Sequence, residues 1–137
     1  MSETKTTTNA PTIWPALTCK DAEDELRYLK DVFGFEETMV VRGEADDPRP
    51  IHHAELKWPL GGGIMLGSAR PDADDPFPDG PVSIYVVCDD PDALYEQARK
   101  GGAEIVVPLK DEDYGSRGFT ARDPEGNVWT FGTYRGA

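Results

Sequence analysis

The stretch RDPEGNVWTFGTY, from Arg122 to Tyr134, guides the interpretation of the whole chain. In its DPEGN part, Asp, Pro, Gly and Asn each suit a tight turn for a separate steric reason. The residues after the turn, Asn127 to Tyr134, include the β-branched and aromatic side chains that are typical of a strand. The stretch therefore predicts a tight turn followed by a strand near the end of the chain.

The same pattern occurs once more, earlier in the chain. GGGIMLG, residues 61–67, aligns with GNVWTFG, residues 126–132, with glycine at both ends. Upstream of each, LTCKDAEDELRYLKDVFGFE aligns with VVCDDPDALYEQARKGGAEI, which superposes Cys19 on Cys88 and Asp21 on Asp90. Two matches in the same order indicate an internal duplication.

The first half of the chain alternates between strand and helix patterns. Its predicted helix begins after Asp21, a good N-cap residue, and ends at Gly34, and its apolar residues recur at three and four positions. The acidic, proline-containing segment GEADDPRP, residues 43–50, is predicted to be a hairpin loop. The four predicted strands are Ile13–Cys19, Phe35–Arg42, Ile51–Trp58 and Gly63–Gly67.

The second half repeats this order after a proline-rich acidic linker. The predicted helix is Pro91–Gly101, with Pro in its first turn, and the predicted strands are Val82–Cys88, Glu104–Val107, Gly118–Arg122 and Asn127–Tyr134. We therefore expect one α+β domain, residues 12–137, after a flexible tail of residues 1–11. It contains two βαβββ modules, at about 12–67 and 82–134, joined by a linker at about 68–81.

Composition limits the classes of partner. The chain has 26 acidic and 14 basic residues and a net charge of −12, which repels the phosphate backbone of a nucleic acid. No segment approaches the roughly 20 apolar residues of a membrane helix, and no signal-peptide pattern is present. We expect a cytoplasmic protein with no membrane or nucleic-acid partner, in which Cys19 and Cys88 are buried free thiols.

Three motifs together resemble the vicinal oxygen chelate superfamily, which includes glyoxalases, bleomycin resistance proteins and extradiol dioxygenases. They are the helix that ends in FGFE, the second helix DPDALYEQARKGGAEI, and the closing stretch RDPEGNVWTFGTY. The resemblance covers residues 12–134. It implies that the strands of two modules curl into an open cup, often completed by a second chain, that binds a small molecule. It also implies a homodimer, because the exposed sheet edges need covering.

Metal-dependent members of this superfamily carry a His or Glu ligand on the first and last strand of each module. The resemblance places these four positions at Trp14, Met65, Ser83 (or Val82 in a register shifted by one) and Thr130. An indole and a thioether are poor ligands for such metals, and two hydroxyls bind weakly. We therefore expect no metal and no other cofactor.

The two histidines, His52 and His53, are adjacent and lie on opposite faces of the predicted strand Ile51–Trp58. Alternation that directs Ala54, Leu56 and Trp58 towards the helix directs His53 and Glu55 towards the cup. These two could act as a catalytic pair for proton transfer, or they could be a surface or hydrogen-bonded structural pair.

The remaining candidate site residues are aromatic, apolar or hydroxyl-bearing. Trp14, Met65 and Tyr85, with Ser83 and Thr130 between them, would form an apolar ligand-binding pocket, unless they fill a collapsed cavity as ordinary core. Tyr114 and Arg117 would lie at the rim. Arg117 could hold an anionic group or pair with one of the acids at 111–113.

These observations favour a metal-free protein that binds a small molecule, such as an antibiotic or an aromatic metabolite. One alternative is a glyoxalase-like lyase or isomerase, either metal-dependent or using His53 and Glu55 as acid and base. Another is an interaction module, which a filled cup would favour. The sequence leaves the ligand unidentified because this fold serves many chemistries.

Overall fold

The computed structural model describes residues 11–44, 46–70, 76 and 79–137. Most of the predicted tail, residues 1–10, and half of the predicted linker, residues 71–75 and 77–78, lie outside the described residues. Among the described residues, no helix has both the length and the apolar character needed to cross a membrane.

The first module contains one helix and four strands. The helix, α1, spans Ala22–Tyr28 and continues as a π-helical turn, Leu29–Phe33. Both ends follow the prediction: the Asp21 side chain accepts a hydrogen bond from the backbone N–H of Asp24, and Gly34 adopts φ 91° after the last turn. The strands are β1 (Ala16–Cys19), β2 (Glu36–Glu44), β3 (Asp47–Lys57) and β4 (Gly63–Ser68).

The second module repeats this arrangement. Its helix α2 spans Pro91–Lys100 and is capped by the Asp90 side chain, which accepts from the backbone N–H of Ala93. Its strands are β5 (Ser83–Val87), β6 (Glu104–Asp111), β7 (Arg117–Arg122) and β8 (Val128–Gly132).

The two sheets have the same topology. The strand order is β1-β4-β3-β2 in the first sheet and β5-β8-β7-β6 in the second. The first and last strands of each module pair in parallel, and the other neighbours are antiparallel. The predicted α+β fold with two βαβββ modules is therefore confirmed.

A shared aromatic core joins the modules. Phe33, at the end of the π-helical turn, lies 4.8 Å from Phe131 and 5.7 Å from Trp129 between ring centroids, and all three side chains are fully buried. At the other end of the core, the Trp58 indole donates a hydrogen bond of 2.8 Å to the carbonyl of Val87. The modules consequently pack as one core rather than as two separate ones.

The DPEGN turn forms as predicted and links the modules. Asp123 is 4% exposed, and its carboxylate accepts from the backbone N–H of Asn127 and from the Trp129 indole, at 2.9 and 2.8 Å. The carboxylate of Glu125 reaches the first module, where it accepts from the backbone N–H groups of Lys20 and Asp21 at 2.7 and 2.8 Å. The turn therefore anchors the start of α1.

The prediction of a loop at residues 43–50 is wrong. Strand β2 continues to Glu44 and β3 begins at Asp47, and these two residues are paired. Strand β3 pairs with β4 only from Ala54 to Lys57. The part of β3 before Ala54 therefore pairs with β2 alone. A strand with one free edge tolerates residues such as Pro50 that lack a backbone N–H.

Two smaller predictions also need correction. Strand β6 extends four residues past the predicted end at Val107, through Pro108, because it is an edge strand with a register shift between Val107 and Lys110. The first predicted strand, Ile13–Cys19, begins too early, because the Ile13 side chain is 86% exposed. Strand β1 begins only at Ala16, after Pro15, so Ile13 precedes the sheet.

Candidate functional site

Two of the candidate site residues, His53 and Met65, lie on the face of the first sheet that points away from the helices. Alternation along β1, β3 and β4 buries Leu17, Leu56 and Leu66 against the helices, as predicted for Leu56. The residues between them point away from the core, and the side chains of His53 and Met65 are only partly buried.

The first module contains a hollow of about 460 Å³ on this face. It lies within the size range of small-molecule sites, roughly 300 to 1,000 Å³. We call it the module-1 hollow and define it by its lining residues: Ala16, Leu17, Thr18, Arg49, His52, His53, Met65, Leu66, Gly67, Ser68, Arg70 and Pro76.

One end of the module-1 hollow is built around Arg49. Its Nη1 donates to the carbonyl of Ser68 at 3.2 Å, and its Nη2 lies 2.8 Å from Nδ1 of His52. A guanidinium group can only donate, so Nδ1 of His52 is the acceptor and the ring carries its proton on Nε2. The hydroxyl of Ser68 accepts in turn from the backbone N–H of Ile51 at 3.0 Å. These contacts fix the Arg49 side chain at the end of β4.

His53 and Glu55 are in direct contact. Nε2 of His53 lies 2.8 Å from Oε2 of Glu55, and their side chains are 35% and 24% exposed. Since an ionised carboxylate only accepts, His53 donates through Nε2. Of the two residues, His53 is among the lining residues of the module-1 hollow and Glu55 is not.

The second module has a much smaller hollow, of about 30 Å³, which we call the module-2 hollow. Its lining includes Tyr85, Tyr114 and Thr130. Tyr114 is 63% exposed and contacts Tyr134 edge to face, while the Tyr85 hydroxyl donates to the carbonyl of Tyr134 at 2.7 Å. The Thr130 hydroxyl lies 2.9 Å from that of Thr120 on the neighbouring strand.

A model of the Glyoxalase/Bleomycin resistance protein/Dioxygenase superfamily matches residues 13–131. The chain belongs to this superfamily. The resemblance found in the sequence is therefore confirmed.

Solved structures of the superfamily agree with the fold. TioX from Micromonospora sp. ML1 is 27% identical, with a TM-score of 0.73 over 90% of this chain and 98% of that one. A glyoxalase/bleomycin resistance protein/dioxygenase from Nocardioides is 23% identical, with a TM-score of 0.64 over 94% of this chain and 87% of that one.

A shorter match is found among curated proteins. A segment of 52 residues is 36% identical to an uncharacterized protein of Mycobacterium bovis. The segment spans 38% of this chain and 34% of that protein, so the likeness concerns about a third of the relative's length.

The residues at the four positions implied for a superfamily metal do not fit one. Trp14 and Met65 lie in the first module, Ser83 and Thr130 lie in the second, and none supplies an imidazole or a carboxylate. Across residues 11–44, 46–70, 76 and 79–137, no three His, Cys, Asp or Glu side chains form a group that could hold a metal ion.

The structure distributes the predicted site residues over several places. His53 and Met65 line the module-1 hollow, and Tyr85, Tyr114 and Thr130 line the module-2 hollow. The two hollows have no lining residue in common. Ser83 is exposed at the start of β5 and lines neither.

Trp14 and Arg117 have other neighbours. The Trp14 ring packs on Gly63, where an added Cβ would lie 2.7 Å from it, and its indole N–H donates to the carbonyl of Pro11 at 3.3 Å. The Arg117 guanidinium donates to both carboxylate oxygens of Asp92, at 2.9 and 3.0 Å, and lies 3.3 Å from Asp111. These carboxylates, Asp92 first, raise the pKa of Arg117, so an anionic ligand would have to displace them.

Sequence reasoning did not assign Arg49, His52 or Arg70 to the module-1 hollow, and it placed His52 on the strand face opposite to the cup. Arg49 belongs to the segment that was predicted to be a loop, and Arg70 belongs to the predicted linker. A signal was present in the sequence, since RPIHH places an arginine and two histidines within five residues of an otherwise acidic chain.

Proposed function

We propose that this protein binds a small molecule in the module-1 hollow, without a metal ion, and acts in the cytoplasm as a sequestering protein. The observation that carries the proposal is the hollow of about 460 Å³ in the first module. An open hollow of this size supports ligand binding over a cup filled by its own side chains.

The lining suits an amphipathic ligand. Ala16 and Met65 offer apolar surface, while Thr18 and the arginines and histidines offer polar groups. A mainly apolar wall with a few polar groups is the usual composition of a small-molecule site, in which the polar groups orient the ligand. A thioether side chain such as Met65 also adapts to ligands of different shape.

The proposal is tested by a thermal-shift screen of aromatic metabolites, amphipathic antibiotics and divalent metal ions, because a ligand that binds only the native state raises the melting temperature. We expect organic ligands to stabilise the protein and elemental analysis of the purified protein to find no stoichiometric divalent metal. Met65→Trp should abolish the stabilisation by filling the hollow.

Met39→Trp is the matched control. Met39 lies on β2, is 45% exposed and does not line the hollow. Its substitution should therefore leave ligand binding unchanged. A screen without organic ligands, or ligands that bind Met65→Trp as tightly as the unsubstituted protein, would contradict the proposal.

The contact between His53 and Glu55 favours a second candidate function, a lyase or isomerase that moves a proton. With Nε2 of His53 donating to Glu55, Nδ1 is the nitrogen available to accept a substrate proton, and the carboxylate stabilises the imidazolium that results. The test is deuterium uptake from D₂O at a carbon of a ligand found by the screen. Exchange that His53→Gln abolishes while binding persists would establish the enzyme; the absence of exchange would leave binding alone.

A further inference from the structure

The described lining of the module-1 hollow is basic, although the chain as a whole is acidic. The chain carries a net charge of −12, yet the hollow is lined by Arg49, Arg70, His52 and His53, and the described residues of its lining include no Asp or Glu. Random placement of 26 acids and 14 basic residues would favour acidic groups at such a site. The lining therefore has a local composition that the overall composition does not explain.

The arginines elsewhere are neutralised. Six of them form ion pairs with carboxylates on the surface: Arg27, Arg42, Arg99, Arg117, Arg122 and Arg135. Arg70 differs from them, because within the part of the chain that the structure describes no carboxylate lies within ion-pair distance of it. Its guanidinium is exposed at the end of β4, where it borders the hollow.

Arg49 is held in place at the same hollow. The Ser68 carbonyl and His52 orient its guanidinium, and the orientation fixes His52 as a donor through Nε2. A guanidinium that is already oriented loses little side-chain entropy when it binds a planar anion such as a carboxylate. The lining of the hollow also includes the apolar side chains of Ala16 and Met65.

We infer that the module-1 hollow selects an organic anion, with its carboxylate, sulfonate or phosphate group at Arg70 and Arg49 and its apolar body against Met65. This inference rests on the proposed function and names its ligand class. A cationic ligand, which the overall acidity of the chain would attract, meets two guanidinium groups here and is disfavoured at short range.

The test compares three compounds with the same indole body and different charge: indole-3-acetate, indole-3-acetamide and tryptamine. Calorimetry measures each affinity, and the methyl resonance of Met65 in methionine-labelled protein reports occupancy of the hollow. We expect the acetate to bind about tenfold more tightly than the amide, as one or two charge-assisted hydrogen bonds provide, and tryptamine to bind least. The affinity for indole-3-acetate, unlike that for the amide, should fall when the salt concentration is raised from about 50 to about 500 mM.

Arg70→Gln should weaken acetate binding about fivefold or more and leave amide binding unchanged. Lys100→Gln is the matched control, because it removes the same charge from the exposed end of α2, outside the hollow. Its acetate affinity should stay within about twofold of that of the unsubstituted protein.

Each alternative outcome has a separate meaning. If the amide or tryptamine binds as tightly as the acetate and shifts the Met65 methyl resonance, the hollow binds small molecules but does not select anions. Only this inference then fails. If none of the three compounds shifts the Met65 methyl resonance while other library compounds do, the inference fails and the proposed function stands. If no library compound binds either, both the inference and the proposed function fail.

Discussion

Glu25 is the residue whose position is least expected from its chemistry. It lies on α1 with a fully buried side chain, and among the described residues neither of its carboxylate oxygens has a hydrogen-bond partner. Burial, and then the nearby carboxylate of Asp123, raise the pKa of Glu25 from 4.5 to about 10. The folded protein therefore holds Glu25 protonated at neutral pH.

This pKa predicts a pH dependence of stability. The unfolded chain releases the Glu25 proton above pH 4.5, whereas the folded protein keeps it up to about pH 10. Folding thus takes up a proton in this range. The contribution of Glu25 to the unfolding free energy is complete below pH 4.5 and is lost as the pH rises towards 10. We expect Glu25→Gln to flatten the fall in unfolding free energy between about pH 5 and pH 8, by up to about 1 kcal/mol per pH unit.

Urea unfolding at several pH values measures this effect. Asp31→Asn is the control, since Asp31 is exposed on the π-helical turn that follows α1 and its substitution should leave the slope unchanged. Equal slopes for Glu25→Gln and the unsubstituted protein would show that Glu25 is ionised in the folded state. The sequence could not predict this burial. The apolar periodicity of α1 places Glu25 beside Leu26, but it does not show that the DPEGN turn of the second module packs near Glu25.

At the scale of elements, the DPEGN turn of the second module stabilises the helix of the first. Glu125 accepts two backbone hydrogen bonds, from Lys20 and Asp21, at the residues that lead into α1. Backbone N–H groups at the start of a helix have no partner within the helix. A carboxylate there satisfies them and interacts favourably with the helix dipole.

Glu125→Ala should therefore lower the unfolding free energy by about 1 to 3 kcal/mol, the usual range for hydrogen bonds to a charged group. Denaturant unfolding measures the loss, and one cooperative transition is expected, since the modules share a core. Asp113→Ala, an exposed residue in the turn between β6 and β7, is the control and should change stability by less than about 0.5 kcal/mol. Similar effects of both substitutions would show that the Glu125 contacts contribute nothing specific.

The elements also show which structural features the sequence can predict. Helices and strands, in their order, could be predicted from periodicity and from Asp21, Gly34 and Pro91 at helix ends. Strand ends did not follow, because Pro50 and Pro108 lie where a strand lacks a neighbour on one side, and that arrangement depends on the sheet as a whole. Arg49 of the module-1 hollow was missed for the same reason, since it lies on the extended part of β3.

At the scale of the molecule, the two hollows lie on different modules and share no lining residue. The resemblance to the superfamily implied one cup built from both modules, and one chain does not bring His53 and Met65 together with Tyr85 and Tyr114. The module-2 hollow is also bordered by exposed aromatic side chains: Tyr85 is 43% and Tyr114 is 63% exposed. A second copy whose second module covers the module-1 hollow would bury these rings and complete one site from two chains.

We therefore predict a homodimer. Light scattering at about 10 µM, a concentration at which a specific interface of ordinary size stays associated, should give twice the chain mass of 15.1 kDa. Tyr114→Glu should shift the mass to that of one chain without changing the circular dichroism spectrum, because a charge would then be buried without a partner in the interface. Leu60→Glu, at a residue that is 46% exposed and lines neither hollow, should remain dimeric. A single-chain mass for the unsubstituted protein would contradict the prediction, and the module-1 hollow would then have to bind its ligand without residues from a second copy.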